Sequence, residues 1–415
     1  MKKPVLPMVG YAQLAEALGG ISHAGTESAG ELKPGESISQ AEAIAQLSDV
    51  MAILEKAQSD PGVLASADDR MASLVQTYLA RQSAVKPGGV VSTDAGPEAK
   101  FDSKDVLGWA GSLFDWVKGL KKHDFADQGG VAVAMKNKTR MALLSDWGTG
   151  MYGGPVCAQS IEDDGKFDVL LHLGDVYYSG DVDEVKDRFL KFWPQVPNTL
   201  SRALNANHEM YSGGHGYFGH ILPAFGQASS YFALQNDYWL LAGLDTGYSE
   251  HELHGSQAAW LIDLVRNAGD RRVVLFSHHQ PFSLYEKQGT KLVAQLAPLL
   301  EARKIHAWYW GHEHRCVVHD AHALWGLRGR CIGHSGFPYF RDQFVSSLAE
   351  PGWQPVAGKN LVPGARVLDG PNRYVEDKPS KYGPNGYVVL EFDDRDMRER
   401  YMRPDGTELP SPLNG

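Results

Sequence analysis

Five times between Ser145 and His314, a run of apolar residues stops at a short polar segment that can bind metal: SDWG, GDVYY, NANHE, SHHQP and GHEH. A chain that repeatedly brings carboxylate, phenol, amide and imidazole groups to the ends of hydrophobic strands is built to gather those ends on one side of a sheet. Functional residues concentrate there, on loops held by a rigid scaffold. Asp146 follows MALLS, Asp175 closes FDVLLHLGD, His278 and His279 follow RRVVLFS, and His312 and His314 follow the aromatic run WYWG. Alone, SDWG or NANHE is an ordinary turn. Five such segments in order are not explained by turns.

The stretches between them set the fold class. VAVAM and RMALLSD read as strands, and strands then alternate with the helical patterns VDEVKDRFLKFW and QAAWLIDLVRNA, which indicates an α/β architecture. The end of the chain, GYVVLEF, DDRD and MRERYM, reads as a β-hairpin closed by aspartates and an arginine. Residues 340–382, rich in Gly, Pro and charge, show little period and read as irregular.

The first hundred residues differ, being rich in alanine and broken by LKPGES and VKPGGVVSTDAGPEA. Ser39 can cap a helix carrying Ile44, Leu47, Met51 and Leu54, and Met71, Leu74 and Tyr78 repeat that spacing. A third stripe, Val106, Trp109, Leu113, Trp116, Val117 and Leu120, suits packing on the next domain. The expected organisation is a helical module over 1–100 with no chemistry of its own, a connecting helix and linker over 101–130, and a catalytic domain over 131–415.

Composition excludes some partners. Forty basic against 50 acidic side chains leave a net charge of -10, which offers no general attraction to nucleic acid or to an anionic membrane, and there is no basic stripe to favour a nuclease. The opening MKKPVLPMVG lacks the apolar core of an export signal. Cys157, Cys316 and Cys331 are too few for a disulfide framework, although the last two can face each other across neighbouring strands; buried free thiols in the cytoplasm are expected.

The chemistry lies in the five segments. A carboxylate such as Asp175 can bridge two cations, and a phenol on the same loop suits a hard, highly charged ion. Asn207 is a neutral oxygen ligand, His208 a proton donor beside it, and His312 and His314, two apart in extended backbone, would point the same way. Of the adjacent pair, strand register favours His278 as ligand with His279 behind it, and the reverse is open.

Together these segments resemble the metal-binding motifs of the calcineurin-like metallophosphoesterase superfamily, and within it the purple acid phosphatases of the small, mammalian type. The marks of that subgroup are Asp146-Trp147-Gly148 and a tyrosine three residues after the bridging aspartate, here Tyr178. YYSGDVDEVKDRFLKFW, LAGLDTGY and GSQAAWLIDLV extend the likeness, which spans roughly Met141 to Ser335. Two positions depart from it: Ala206 stands where the family has glycine, and SHHQPF has one residue more than His-x-Pro if His278 is the ligand.

The resemblance implies a four-layer α/β/β/α sandwich of two mixed sheets flanked by helices. It further implies that Asp146, Tyr178 and His314 hold one ion, Asn207, His278 and His312 the other, and Asp175 both. The ions would be Fe(III) with Fe(II), Zn(II) or Mn(II). The implied reaction is in-line attack of a metal-bound hydroxide on a phosphate ester, with His208 serving the phosphoryl group or the leaving oxygen. A small phosphomonoester is the expected substrate, and a cyclic nucleotide or glycerophosphodiester the rival. A rival of another class is a non-catalytic metal- or phosphate-binding regulatory protein whose N-terminal module engages a protein partner. His279, His215 and His254 are candidates for contacting substrate or supporting ligands, with His251 and His334 behind them. His172, His306, His319 and His322 read as structural, and Trp147, Tyr177 and Phe282 as packing.

Overall fold

The structure is a computed structural model that describes residues 8–9, 15, 40–57, 68–85, 90–93, 96–99, 113, 116–127, 129–147, 152–341, 348–375 and 379–412. Ser39, Val106, Trp109, Gly148 and Gly150, and the side chain of Ile44, lie outside them.

Strand β4 (Lys138–Leu144) shows how the sequence builds the layers. Side chains alternate across a strand, so Met141 and Leu143 face a second sheet while Ala142 and Leu144 face helices, and all four are fully buried. The same alternation runs through β5 (Val169–His172), with Val169 and Leu171 facing one way and Leu170 the other. Five strands form the first sheet in the order β16-β15-β4-β5-β6, where β6 is Leu200–Ala203, β15 Tyr387–Asp393 and β16 Asp396–Met402. Strands β4, β5 and β6 are parallel; β15 and β16 form the hairpin read from the DDRD turn, and β15 pairs antiparallel with β4.

The second sheet has nine strands in the order β13-β14-β11-β12-β10-β9-β8-β7-β3. They are β3 (Val133–Ala134), β7 (Phe232–Gln235), β8 (Trp239–Gly243), β9 (Arg272–Ser277), β10 (Ile305–Trp310), β11 (Cys316–Ala321), β12 (Arg328–Ile332), β13 (Gly352–Val356) and β14 (Ala365–Asp369). Its centre, β8, β9, β10 and β12, is parallel. Between the sheets lie Met141, Leu143, Leu171, Leu241, Val274, Phe276 and Tyr309, each buried Leu or Val contributing roughly 1.5–3 kcal/mol. Helix α3 (Gly153–Asp164) covers the outside of the first sheet through Cys157 and Ile161, and α5 (Gln257–Arg266) covers the second through Leu261 and Val265. This is the expected four-layer sandwich of two mixed sheets.

Three expectations change. Residues 340–382 are not irregular throughout: β13 and β14 pair antiparallel at the edge of the large sheet. Edge strand β13 is only partly buried, and β14, although mostly buried, is five residues long, too short to show a period. VVSTDAGPEA is not only a break, since β1 (Val90–Thr93) and β2 (Gly96–Ala99) form a hairpin there. Cys316 and Cys331 do not face each other: Cys316 pairs with Ile332 and Cys331 with Val317, Cys316 packs between the sheets, and Cys331 packs on the helix side. All three cysteines are buried free thiols, and no helix among the described residues is long and apolar enough to cross a membrane.

Helices α1 (Gln40–Ala57) and α2 (Arg70–Val85) share a core with the second motif. Leu47, Val50, Leu54, Val75, Tyr78, Leu79 and Leu113 bury against Met8, Val9, Tyr177, Tyr178 and Phe337. Helix α2 is buried along most of its length, and its polar residues find partners on the same loop. Thr77 Oγ1 lies 2.8 Å from Ser179 Oγ and 3.0 Å from Glu184 Oε1, and Arg81 pairs with Asp181 at 2.9 Å.

Candidate metal centre

Because β4, β5 and β6 run parallel in one sheet and β9 and β10 in the other, their C-terminal ends bring five loops to one rim. Each candidate ligand sits just beyond a strand: Asp146 after β4, Asp175 after β5, Asn207 after β6 at the start of α4 (Asn207–Tyr211), His278 after β9, and His312 and His314 after β10. Four of them are non-glycine residues in the left-handed region: Asp146 (φ 52), Asp175 (φ 72), His312 (φ 70) and His314 (φ 53). Such backbone costs about 1–3 kcal/mol per residue and clusters where function requires it. His312 and His314 are therefore not in extended backbone as expected, and their rings serve different parts of the cluster. Gly174 (φ 104) has no room for a side chain, since a Cβ would meet Ala206 Cβ at 2.7 Å and His278 Nδ1 at 2.9 Å. Ala206 itself, at φ -138, is extended and accepts its methyl without strain.

One half of the centre is tied by a phenol. The Tyr177 hydroxyl lies 3.1 Å from Asp146 Oδ1, 2.9 Å from Asp175 Oδ2 and 2.5 Å from His314 Nε2. Asp146 Oδ2 also accepts from Ser145 Oγ at 2.5 Å and from the His312 backbone N–H at 3.0 Å. The tyrosine that meets the carboxylates is thus Tyr177 and not Tyr178, and this corrects the expectation. The Tyr178 ring packs with Met8, Val9 and α2, its hydroxyl exchanges hydrogen bonds with the Val9 backbone at 3.1 and 3.2 Å, and burial pushes its phenol up to about 12. A hydroxyl already satisfied by the N-terminal segment is not available to the cluster.

The other half holds atoms with nothing to bond. His278 Nδ1 meets the Leu173 carbonyl at 3.0 Å and His279 Nδ1 the Thr246 hydroxyl at 3.0 Å, which turns each Nε2 inward. Buried His278 Nε2, His279 Nε2, His312 Nδ1 and Asn207 Oδ1 have no hydrogen-bond partner, although His278 Nε2 lies 3.3 Å from Asp175 Oδ2. Buried polar atoms are usually satisfied, and the unpartnered atoms of His278 and His312 belong to side chains grouped with Asp175, a donor set that suits a cation. His208 stands beside Asp175, its Nδ1 2.5 Å from the Tyr178 carbonyl and its Nε2 4.0 Å from Asp175 Oδ2. Glu209 Oε2 accepts the Asp175 backbone N–H at 3.3 Å.

The electrostatics agree. Burial, then the neighbouring Asp175, raises the Asp146 carboxyl well above the ordinary range, and burial with both carboxylates raises the Tyr177 phenol. Burial also works against the Asp175 charge, but His278 and His208 outweigh it and hold that carboxyl well below its usual value. Burial lowers His278, His279 and His314, the last to about 3, which favours the neutral imidazole, the form that binds metal. Three buried acidic groups crowded together resist ionising at once, and a cation among them reverses that.

The donor set fits two ions. Asp146, Asp175 and His314 bring ligand atoms within 4.8 Å of one another, as do Asp175, His278 and His312, and the two groups share Asp175. His251, His279 and His312 form a third such group. Of the other candidates, His254 Nδ1 bonds Ser249 Oγ at 2.7 Å and His215 Nε2 bonds the Lys121 carbonyl at 2.7 Å, so neither is brought to the cluster. His251 is, with its ring 4.0 Å from that of His279. His334 is buried and joins none of these groups, and His172 packs on Phe189. Asp68 was not anticipated: it accepts from Asn207 Nδ2 at 2.8 Å and Tyr211 Oη at 2.6 Å. The only sequence signal was an acidic pair before a helix, which reads as a cap.

Residues 139–316 match the family described as calcineurin-like phosphoesterase, and the match contains all five segments. No curated protein matches the chain. Among solved structures, the chain is similar to a purple acid phosphatase from yellow lupin (Lupinus luteus) seeds, at 15% identity over 66% of this chain and 53% of that one, with a TM-score of 0.47. It thus spans about half the lupin protein's length. It is also similar to a dimetal phosphatase from Danio rerio, at 12% identity over 65% of this chain and 98% of that one, with a TM-score of 0.38.

Proposed function

We propose that this chain is a hydrolase of phosphate monoesters that works with two metal ions. The observation that carries the reading is that Asp175 belongs at once to two largely buried ligand groups. On this reading Asp146, Tyr177 and His314 hold one ion, Asn207, His278 and His312 the other, and Asp175 both. A phenolate suits a hard trivalent ion such as Fe(III), and the nitrogen-rich half suits Fe(II), Zn(II) or Mn(II). Bound cations in such a site supply Lewis-acid charge for the phosphoryl group and lower the pKa of water.

The protein's own groups do the rest. His208 donates Nδ1–H to the Tyr178 carbonyl, so in its protonated form only Nε2–H, on the side of Asp175, is free to reach a phosphoryl or leaving oxygen. Glu209 fixes the Asp175 backbone, and Leu173 and Thr246 fix the two imidazoles. A monoester brings three terminal oxygens against a diester's two, which matches two cation positions plus His208. The test is turnover of an aryl phosphate against a bis-aryl phosphate, with metal content measured on the same sample. Faster hydrolysis of the monoester is expected; a preference for the diester overturns the substrate class, and no turnover of either by protein carrying two ions overturns the hydrolase reading.

A further inference from the structure

The segment leading into α2 reaches the centre at one residue. Asp69 begins α2 as its cap, its Oδ1 accepting the Ala72 N–H at 2.8 Å and its carbonyl the Ser73 N–H at 3.1 Å. Next to it Arg70 Nε donates to the Tyr211 carbonyl at 3.0 Å. These two anchors hold Asp68 over α4. Its Oδ1 there accepts from both Asn207 Nδ2 and Tyr211 Oη, and its Oδ2 lies 3.8 Å from His312 Nε2.

We propose that Asp68 is a positioning residue of the metal centre, supplied by the N-terminal segment to set which end of the Asn207 amide faces the ions. The proposal rests on the two-ion reading above. A primary amide has a donor end and an acceptor end, and only the oxygen can bind a cation. Tyr211 Oη, 2.9 Å from Asn207 Nδ2, gives its one proton to Asp68 and so can only accept from the amide, a choice that depends on the carboxylate. An ionised carboxylate only accepts, so it admits the NH2 end alone and leaves Oδ1, which is buried and unpartnered, as the end free for an ion. Asp68 joins none of the groups whose ligand atoms lie within 4.8 Å, so it acts through Asn207 and not as a ligand. The N-terminal segment is on this view a working part of the centre.

The experiment is calorimetric titration of the metal-free full chain with Zn(II), with the two binding steps resolved by chelator competition. In Asp68→Ala the second-half step is expected to weaken by roughly 10–100-fold, the effect of losing a partner that orients a ligand, while the Asp146 half is unchanged. Asp68→Asn keeps the shape and carries the test where the alanine variant does not fold; it is expected to weaken the same step by roughly tenfold, because its own NH2 can face the amide. Tyr211→Phe leaves the carboxylate in place and is expected to keep both affinities within a few-fold. Unchanged Zn(II) binding in both Asp68 variants, or equal loss at both steps, overturns the proposal. Asn207→Ala separates the two levels: if it loses the second-half ion while Asp68→Ala does not, the positioning role fails and the two-ion reading stands. If Asn207→Ala keeps both ions, the assignment of that half fails first.

Discussion

The two halves of the centre are held by opposite means. Around Asp146 the polar groups satisfy one another, with Tyr177, Ser145, His314 and the His312 backbone closing a hydrogen-bonded network. Around Asn207 the ligand atoms are left unpartnered, and their directions are set from behind by Leu173, Thr246 and Asp68. One half is organised from within and the other by its surroundings. The first should therefore respond sharply to loss of a single member, and the second to loss of residues that never touch an ion.

Asp175→Asn, the change common to both halves, should have the largest effect: loss of both ions and a fall in turnover of at least about 10²–10³-fold. Full turnover with normal metal content would break the comparison at its root. Next comes the choice of tyrosine, read in iron-loaded protein. Tyr177→Phe should abolish a visible phenolate absorption band and weaken the Asp146-half ion by roughly 10–100-fold. Tyr178→Phe should keep band and ion, and cost about 1 kcal/mol of stability through its lost Val9 contacts; a band that tracks Tyr178 instead would reverse the assignment.

A smaller effect sharpens the second half. His278→Ala should lose that ion, whereas Thr246→Val, which frees the His279 ring, should weaken it by no more than roughly tenfold. Equal losses would show that His279 is the ligand. The smallest effect lies outside both halves and serves as a control. Burial lowers His334 to about 4, so between about 4 and 6.5 the unfolded chain binds the extra proton. Its contribution to stability is present above pH 6.5 and is lost as pH falls toward 4. The melting temperature should drop on acidification, and His334→Leu should flatten that slope without changing metal content.

Much of this was readable because strands announce themselves. Alternation placed Met141, Leu143, Leu170 and Leu171, and the residues following each apolar run arrived at one rim because parallel strands end on the same side. The choice between Tyr177 and Tyr178 was not readable, since the two are adjacent and what separates them is the Val9 backbone, remote in sequence, that takes up one hydroxyl. His251 stood only among the lesser candidates, since its approach to His279 depends on how the loop after β8 folds. Asp68 was the hardest to foresee: its partner Asn207 lies 139 positions away, and the role is set by contact and not by any local pattern.

The shared carboxylate is tested most directly by anomalous diffraction from crystals grown with Mn(II) or Zn(II). Two peaks about 3.5–4 Å apart are expected, one beside Asp146, Tyr177 and His314 and one beside Asn207, His278 and His312, with Asp175 contacting both. A single peak, or two peaks with Asp175 touching only one, would contradict the two-ion centre.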